Sequence, residues 1–139
     1  KIKEFKLEEK VFLMGFINNP FEYLKAADCF IFGSNHEGFP NVLLEALACR
    51  IPIISTNCPS GPSEILDEFE NNAEEIIQTD YGMLVGINNL DSMVIAISKF
   101  LENTKSKYDT DKLYKRANCF SSTNILYLYE NELLKFKKK

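Results

Sequence analysis

Three short runs, apolar at consecutive rather than alternate positions, recur along the first sixty residues with helix-forming stretches between them. They are Val11-Phe-Leu-Met-Gly15, Cys29-Phe-Ile-Phe32 and Pro52-Ile-Ile-Ser-Thr56. A strand apolar on both faces has to be covered on both faces, and parallel neighbours need a crossover of a dozen or more residues. The intervening stretches suit such crossovers. Pro20 opens one helix running through Leu24 to Ala27, and Val42-Leu-Leu-Glu-Ala-Leu-Ala48 has the composition of a second. The alternation predicts an α/β chain with a parallel sheet and flanking helices. Ligands of such sheets sit beyond the carboxyl ends of the strands. Here those ends are 15–19, 33–41 and 57–64, all rich in Gly, Pro, Asn and Ser.

The second half reads more loosely. Residues 65–80 form an acidic stretch, expected to be solvated and helical in part. Tyr81-Gly-Met-Leu-Val-Gly86 predicts a further strand. Leu90, Val94, Ile97 and Leu101 recur at helical spacing behind a cap at Asn89 or Asp91. Leu126, Tyr129, Leu133 and Phe136 stripe a last helix over about 122–138. No repeat or low-complexity linker divides the chain, so residues 1–139 read as one unit.

Charge and cysteine content exclude several functions. The net charge is −4, and four of the 16 basic residues are Lys135, Lys137, Lys138 and Lys139; the rest of the chain carries 12 basic against 20 acidic. No Lys or Arg falls between Arg50 and Lys99. So acidic a body offers no footprint for nucleic acid. No apolar run approaches the ~20 residues of a membrane-spanning helix. Cys29, Cys49, Cys58 and Cys119 form no C-x-x-C pair, and His36 is the only histidine, so neither a zinc site nor a disulfide framework is expected. The four read as buried free thiols of a reducing cytosol.

Chemistry concentrates in Ser34-Asn-His-Glu-Gly-Phe-Pro-Asn-Val-Leu-Leu-Glu45. Glu37 lies in the turn before the second helix. If Pro40 begins that helix, Glu45 is ~7.5 Å further along its axis. Backbone N–H groups near Gly38 to Asn41 lie between the two acids, and a helix N-terminus with free donors suits a phosphate. Glycine at 38 allows close backbone approach. Spacing alone favours the plainer reading, a first-turn acid at Glu37 and a surface helix residue at Glu45, since acids near helix starts are common.

The segment resembles the donor-binding motif of retaining glycosyltransferases of the GT-B fold, family four: a Glu, seven residues, a second Glu, here Glu37-Gly-Phe-Pro-Asn-Val-Leu-Leu-Glu45. Val11-x-Leu13-x-Gly15, Tyr23-Leu24, Ala26-Ala-Asp28, Pro52-Ile-Ile-Ser55, Ser60-Gly-Pro-Ser-Glu64 and Tyr81-Gly-Met-Leu-Val85 resemble the family in the same order. The resemblance covers roughly residues 11 to 100. It implies a Rossmann-like sheet, part of the C-terminal donor domain of a GT-B enzyme, without the N-terminal acceptor domain. Residues 1–139 alone are therefore expected to be inactive.

The roles implied are specific. Glu37 would be catalytic, bonding donor-sugar hydroxyls and supporting charge at the reacting face. Gly38, Phe39, Pro40 and Asn41 would present backbone groups to the sugar and diphosphate. Glu45 would accept from the ribose hydroxyls, and Phe16 and Ile17 would pack near the nucleobase. For Phe16, core packing is an equal expectation. Glu64 would line the donor pocket or cap the next helix, and His36 has no evident partner. The donor would be a UDP- or GDP-sugar, with no metal or other cofactor. The acceptor would be a saccharide or lipid-linked hydroxyl, in bacterial surface polysaccharide or glycoconjugate synthesis. The resemblance implies a cytoplasmic protein, and the lysine tail suggests peripheral contact with the inner face of the membrane. One departure stands out: Arg50 occupies a position usually held by glycine, where its cation is expected to cap the helix C-terminus. Two other readings remain open, a nucleotide-sugar epimerase of the same fold and a non-catalytic nucleotide-binding module.

Overall fold

The computed structural model describes residues 1–68, 76–102 and 108–136. The elements run α1 (Phe21–Ala26), β1 (Phe30–Phe32), α2 (Asn41–Ala48), β2 (Ile53–Thr56), α3 (Pro62–Ile65), β3 (Ile77–Gln78), β4 (Gly82–Val85), α4 (Leu90–Glu102), α5 (Thr110–Cys119) and α6 (Ser122–Phe136). The chain is a mixed α/β structure with a four-stranded sheet in the order β1-β2-β4-β3. β1, β2 and β4 are parallel, in a register that pairs Phe30 with Ile53 and Ile53 with Gly82. β3 adds an antiparallel edge on β4.

All residues of β2 and β4 are buried, as double coverage requires. Ile53 and Leu84 face one layer, where they meet Leu43 and Leu47 of α2, Ile65, and Leu113 of α5. Ile54, Met83 and Val85 face the other, against Ala96, Met93 and Ile97 of α4. Gly82 has φ +156°, and a Cβ there would lie 1.9 Å from the Ile53 carbonyl oxygen; only glycine lets β4 approach β2 this closely. Asn89 caps α4, its Oδ1 accepting from the Ser92 N–H at 2.9 Å.

Several expectations change. Residues 11–15 form no strand and are exposed, Leu13 to 86%. No strand among the described residues lies beside them, and an extended segment with no neighbour gains neither ladder bonds nor coverage. The acidic stretch is not simply solvated: Asp67 pairs with Arg116 at 3.2 Å, and Asp80 pairs with Lys112. Its residues 76–80 supply the unexpected strand β3, while Glu70, Glu74 and Glu75 lie outside the described residues. Helix α5 was not anticipated, although Asp109 is a plain N-cap that accepts from the Asp111 and Lys112 N–H groups. α6 matches the expected last helix through Phe136, has no buried residue, and Lys137 to Lys139 lie outside the described residues. The cysteines are free, but Cys58 alone is buried; Cys29 and Cys49 are half-buried and Cys119 is exposed. No helix among the described residues is long and apolar enough to cross a membrane.

Arg50 also departs from expectation. Its side chain does not cap α2. The backbone does so, with Ile51 N–H bonding Ala46 O and Arg50 N–H bonding Leu47 O while Arg50 takes φ +67°. This is the left-handed cap position that favours glycine. The guanidinium instead reaches α5, bonding the Thr110 carbonyl at 3.1 Å and the Asp111 carboxylate, and lies 5.1 Å from the Tyr114 ring centroid.

Candidate functional site

Two loops build the site at the carboxyl ends of β1 and β2. The first, 33–40, leads into α2. It is tied at its base by Thr56, whose hydroxyl donates to the Ser34 carbonyl, and folded on itself by Ser34 Oγ donating to the His36 carbonyl at 3.1 Å. The second, 57–61, starts from Asn57 N–H bonded to Val85 O at 2.7 Å. Ser60 and Gly61 then take φ +67° and +108°, turning the chain into α3. Gly61 lies directly against the buried Pro40, so each loop fixes the other.

α5 locks this pair from outside. Arg116 donates to the carbonyls of Ile65 and Glu64 at the end of α3, and its guanidinium lies 5.2 Å from the Phe120 ring centroid. Phe120 in turn meets Phe39, ring centroids 5.8 Å apart. The Phe39 ring is therefore a structural contact, leaving its backbone for a ligand.

At the α2 N-terminus, Asn41 N–H bonds Phe39 O and Leu43 N–H bonds Pro40 O. The N–H groups of Gly38, Phe39 and Val42 have no backbone acceptor among the described residues. A Cβ at Gly38 would meet nothing within 4 Å. Donors in open space at a helix N-terminus are what an anion needs.

Glu37 and Glu45 flank these donors, both half-buried and neither hydrogen-bonded by its side chain among the described residues. Glu37 stands near Cys58, whose thiol is pushed up by burial first and by the negative charge of Glu37 second. Glu45 lines a cleft of ≈ 380 Å³ with Phe21, Tyr114, Asn118 and Phe120, a cleft that Glu37 does not line. Glu37 and Glu45 thus border different surroundings rather than one cleft.

The other anticipated residues scatter. Phe16 is 93% exposed and Ile17 half-buried, and neither lines the cleft beside Glu45. Glu64 lies within α3 with its side chain exposed, and His36 is exposed. A second cleft of ≈ 340 Å³, lined by Asn35, Thr56, Asn88 and Met93, opens across the carboxyl ends of the strands; position beyond those ends is its only sequence signal. One Asp-x-Asp, Asp109-Thr-Asp111, occurs in the chain. Both carboxylates are engaged in the fold, Asp109 as the cap of α5 and Asp111 with Arg50.

The family model described as glycosyl transferases group 1 matches residues 1–118. The chain belongs to this family. Among glycosyl transferases group 1 relatives, it is 38% identical over 125 residues to the N-acetylgalactosamine-N,N'-diacetylbacillosaminyl-diphospho-undecaprenol 4-alpha-N-acetylgalactosaminyltransferase of Campylobacter jejuni, covering 89% of this chain and 32% of that protein. It is 27% identical over 119 residues to the UDP-Gal:alpha-D-GlcNAc-diphosphoundecaprenol alpha-1,3-galactosyltransferase of Escherichia coli, covering 83% and 28%. The solved structure of the lipopolysaccharide outer core galactosyltransferase WaaB, apo form, superimposes with TM-score 0.77 at 23% identity, over 96% of this chain and 36% of that one. That likeness is one of fold, the GT-B fold of glycosyltransferases. The chain spans about a third of the length of these relatives.

Proposed function

We propose that the protein transfers a glycosyl group from a UDP- or GDP-sugar to a hydroxyl of a saccharide or lipid-linked acceptor, with retention at the anomeric carbon. The observation that carries this is the row of N–H donors at Gly38, Phe39 and Val42 without a backbone acceptor, between two glutamates without a side-chain partner, among the described residues. A diphosphate on those donors puts the sugar toward Glu37 and the ribose toward Glu45. In the reaction the bond between the anomeric carbon and the diphosphate oxygen breaks. A bond to the acceptor oxygen forms, and the acceptor proton leaves with the diphosphate or to solvent. Negative charge grows on the leaving diphosphate, where the helix N-terminus stabilises it. Glu37 bonds the sugar hydroxyls and supports positive charge on the ring. No step of this scheme calls on a metal.

The relatives support the substrate classes: the E. coli protein is named for UDP-Gal, and both relatives are named for diphospho-undecaprenol acceptors. The diphospho-undecaprenol acceptors in the same names support a role in bacterial surface polysaccharide or glycoconjugate synthesis, which we place at the inner face of the membrane. The full-length protein, screened against UDP- and GDP-sugars with acceptor, should release nucleoside diphosphate and form a product with the donor's anomeric configuration. Epimerised free sugar without transfer would point to an epimerase. Nucleotide binding without turnover would point to a binding module.

A further inference from the structure

We infer that Arg116 is a positioning residue for the transfer reaction: from outside the site, its guanidinium sets the backbone that carries the N–H donors, by two routes at once. The inference rests on the donor reading above and concerns a residue that lines neither of the clefts near the site.

Arg116 belongs to α5, and its side chain is only 15% exposed. Its Nε donates to the Ile65 carbonyl at 2.9 Å, and its Nη2 donates to the Glu64 carbonyl and pairs with Asp67 at 3.2 Å. The ring centroids of Tyr81 and Phe120 lie 5.4 and 5.2 Å from the guanidinium carbon. A planar group with several fixed donors can hold two carbonyls, a carboxylate and aromatic rings together, whereas an ammonium acts as a single point charge.

The first route runs through α3. With four residues, that helix has a single turn to support it, so its carboxyl end depends on donors from outside. Holding Glu64 and Ile65 also holds Gly61, which precedes α3 and lies against Pro40. The second route runs through Phe120, which contacts the Phe39 ring. Phe39 and Pro40 are consecutive, and the N–H groups of Gly38, Phe39 and Val42 lie on and around them. One cation therefore restrains the same dipeptide from two directions.

The kinetic consequence follows from when the charge develops. The diphosphate carries more negative charge in the transition state than in the bound donor, so misdirected N–H groups forfeit more there. Loss of the restraint should appear in kcat more than in donor KM.

The test uses the full-length protein. Arg116→Lys keeps a positive charge beside Asp67 but replaces the fork with a single ammonium. Its kcat should fall about tenfold, while donor KM changes by less than about threefold. Arg50→Ala is the control: it loosens the other end of the contact between α5 and α2 and should keep the wild-type kcat. Amide NMR supplies a readout independent of turnover, since the Phe39 and Val42 signals should move in Arg116→Lys and stay in place in Arg50→Ala. If Arg116→Lys fails to fold, Phe120→Leu replaces it, cutting the second route alone and shifting kcat and the amide signals the same way. Wild-type kcat in the folded variant, an equal loss in Arg50→Ala, or a change confined to KM overturns the positioning role. The donor reading fails separately: a wild type that transfers no sugar from any UDP- or GDP-sugar overturns it, and the amide signals still decide whether Arg116 sets the loop.

Discussion

Gly61 lies against Pro40 so closely that a Cβ on Gly61 would sit 2.3 Å from the proline Cδ. The contact joins the loop after β2 to the loop that starts α2, and it holds the N–H donors of α2 in place. Gly61 also has φ +108°, where a side chain is strained regardless of space. Gly61→Ala should therefore destabilise the fold by about 2 kcal/mol or more, combining left-handed strain with displacement of a buried ring. Gly38→Ala makes the contrasting case, since its Cβ meets nothing. Thermal unfolding should leave the Gly38 variant near wild type while calorimetry shows weakened nucleoside diphosphate binding. Equal melting temperatures for the two variants would contradict the assignment.

Glu37 and Glu45 should separate kinetically in the full-length protein. Glu45→Gln strips an acceptor from a nucleotide bound in both ground and transition states, so the donor KM should rise, by ~1–3 kcal/mol in binding. Glu37→Gln acts where charge changes during reaction, so kcat should fall more than diphosphate affinity. Paired measurement of turnover and diphosphate affinity decides. If Glu37→Gln weakens diphosphate binding as much as Glu45→Gln and spares turnover, the division of roles is wrong.

Arg50 sets a conformational strain against its contacts with α5, of which the Asp111 pair and the Tyr114 ring are the side-chain ones. Its φ of +67° disfavours any side chain by about 1 kcal/mol. The exposed Asp111 pair and the Tyr114 contact return about 0.5–1 kcal/mol each. Arg50→Gly should then be close to neutral, within ~0.5 kcal/mol. Arg50→Ala keeps the strain and loses both contacts, so urea unfolding should show it less stable by about 1 kcal/mol. Equal stability of the two variants would show that the left-handed strain contributes nothing, and an Arg50→Ala variant as stable as the wild type would show the same of the contacts.

The cysteines should differ sharply in reactivity. Burial pushes the Cys29 thiol up to about 12, with the Asp28 charge adding and a hydrogen bond from the Ile54 backbone opposing. Burial and Glu37 raise Cys58 as well. At neutral pH, thiol labelling should mark the exposed Cys119 first and leave Cys29 unmodified. Both raised thiols hold their proton more tightly in the folded state than in the unfolded one. Their effect on stability is therefore constant below pH 9 and turns unfavourable as pH rises from 9 towards 12. Cys29→Ala should flatten that alkaline decline in the pH profile of the unfolding free energy.

The lysine tail is tested on membranes. Lys135, Lys137, Lys138 and Lys139 cluster at the end of the exposed stripe of Leu126, Tyr129, Leu133 and Phe136. Each lysine near anionic lipid contributes ~1 kcal/mol. The full-length protein should co-sediment with vesicles containing phosphatidylserine less well once the four lysines become serine. Unchanged co-sedimentation would end the proposed contact.

The sequence by itself determined the parallel α/β layout, because runs apolar on consecutive positions can only be satisfied by coverage on both faces, as at β2 and β4. It also marked the Glu37–Glu45 segment, since a turn, a helix start and two acids at fixed spacing are local properties. What lay beyond it was set by distant partners. Residues 11–15 look like a strand but form none, because strand formation depends on a neighbour and none of the described strands lies beside them. The acidic residues Asp67 and Asp80 look solvated, yet both meet cations of α5 across long stretches of chain. The separation of the two glutamates, one near Cys58 and one in an aromatic cleft completed by Phe21 and Tyr114, follows from how α1 and α5 pack around α2. Local pattern chooses the elements; only packing between elements far apart in sequence decides which side chains share a site.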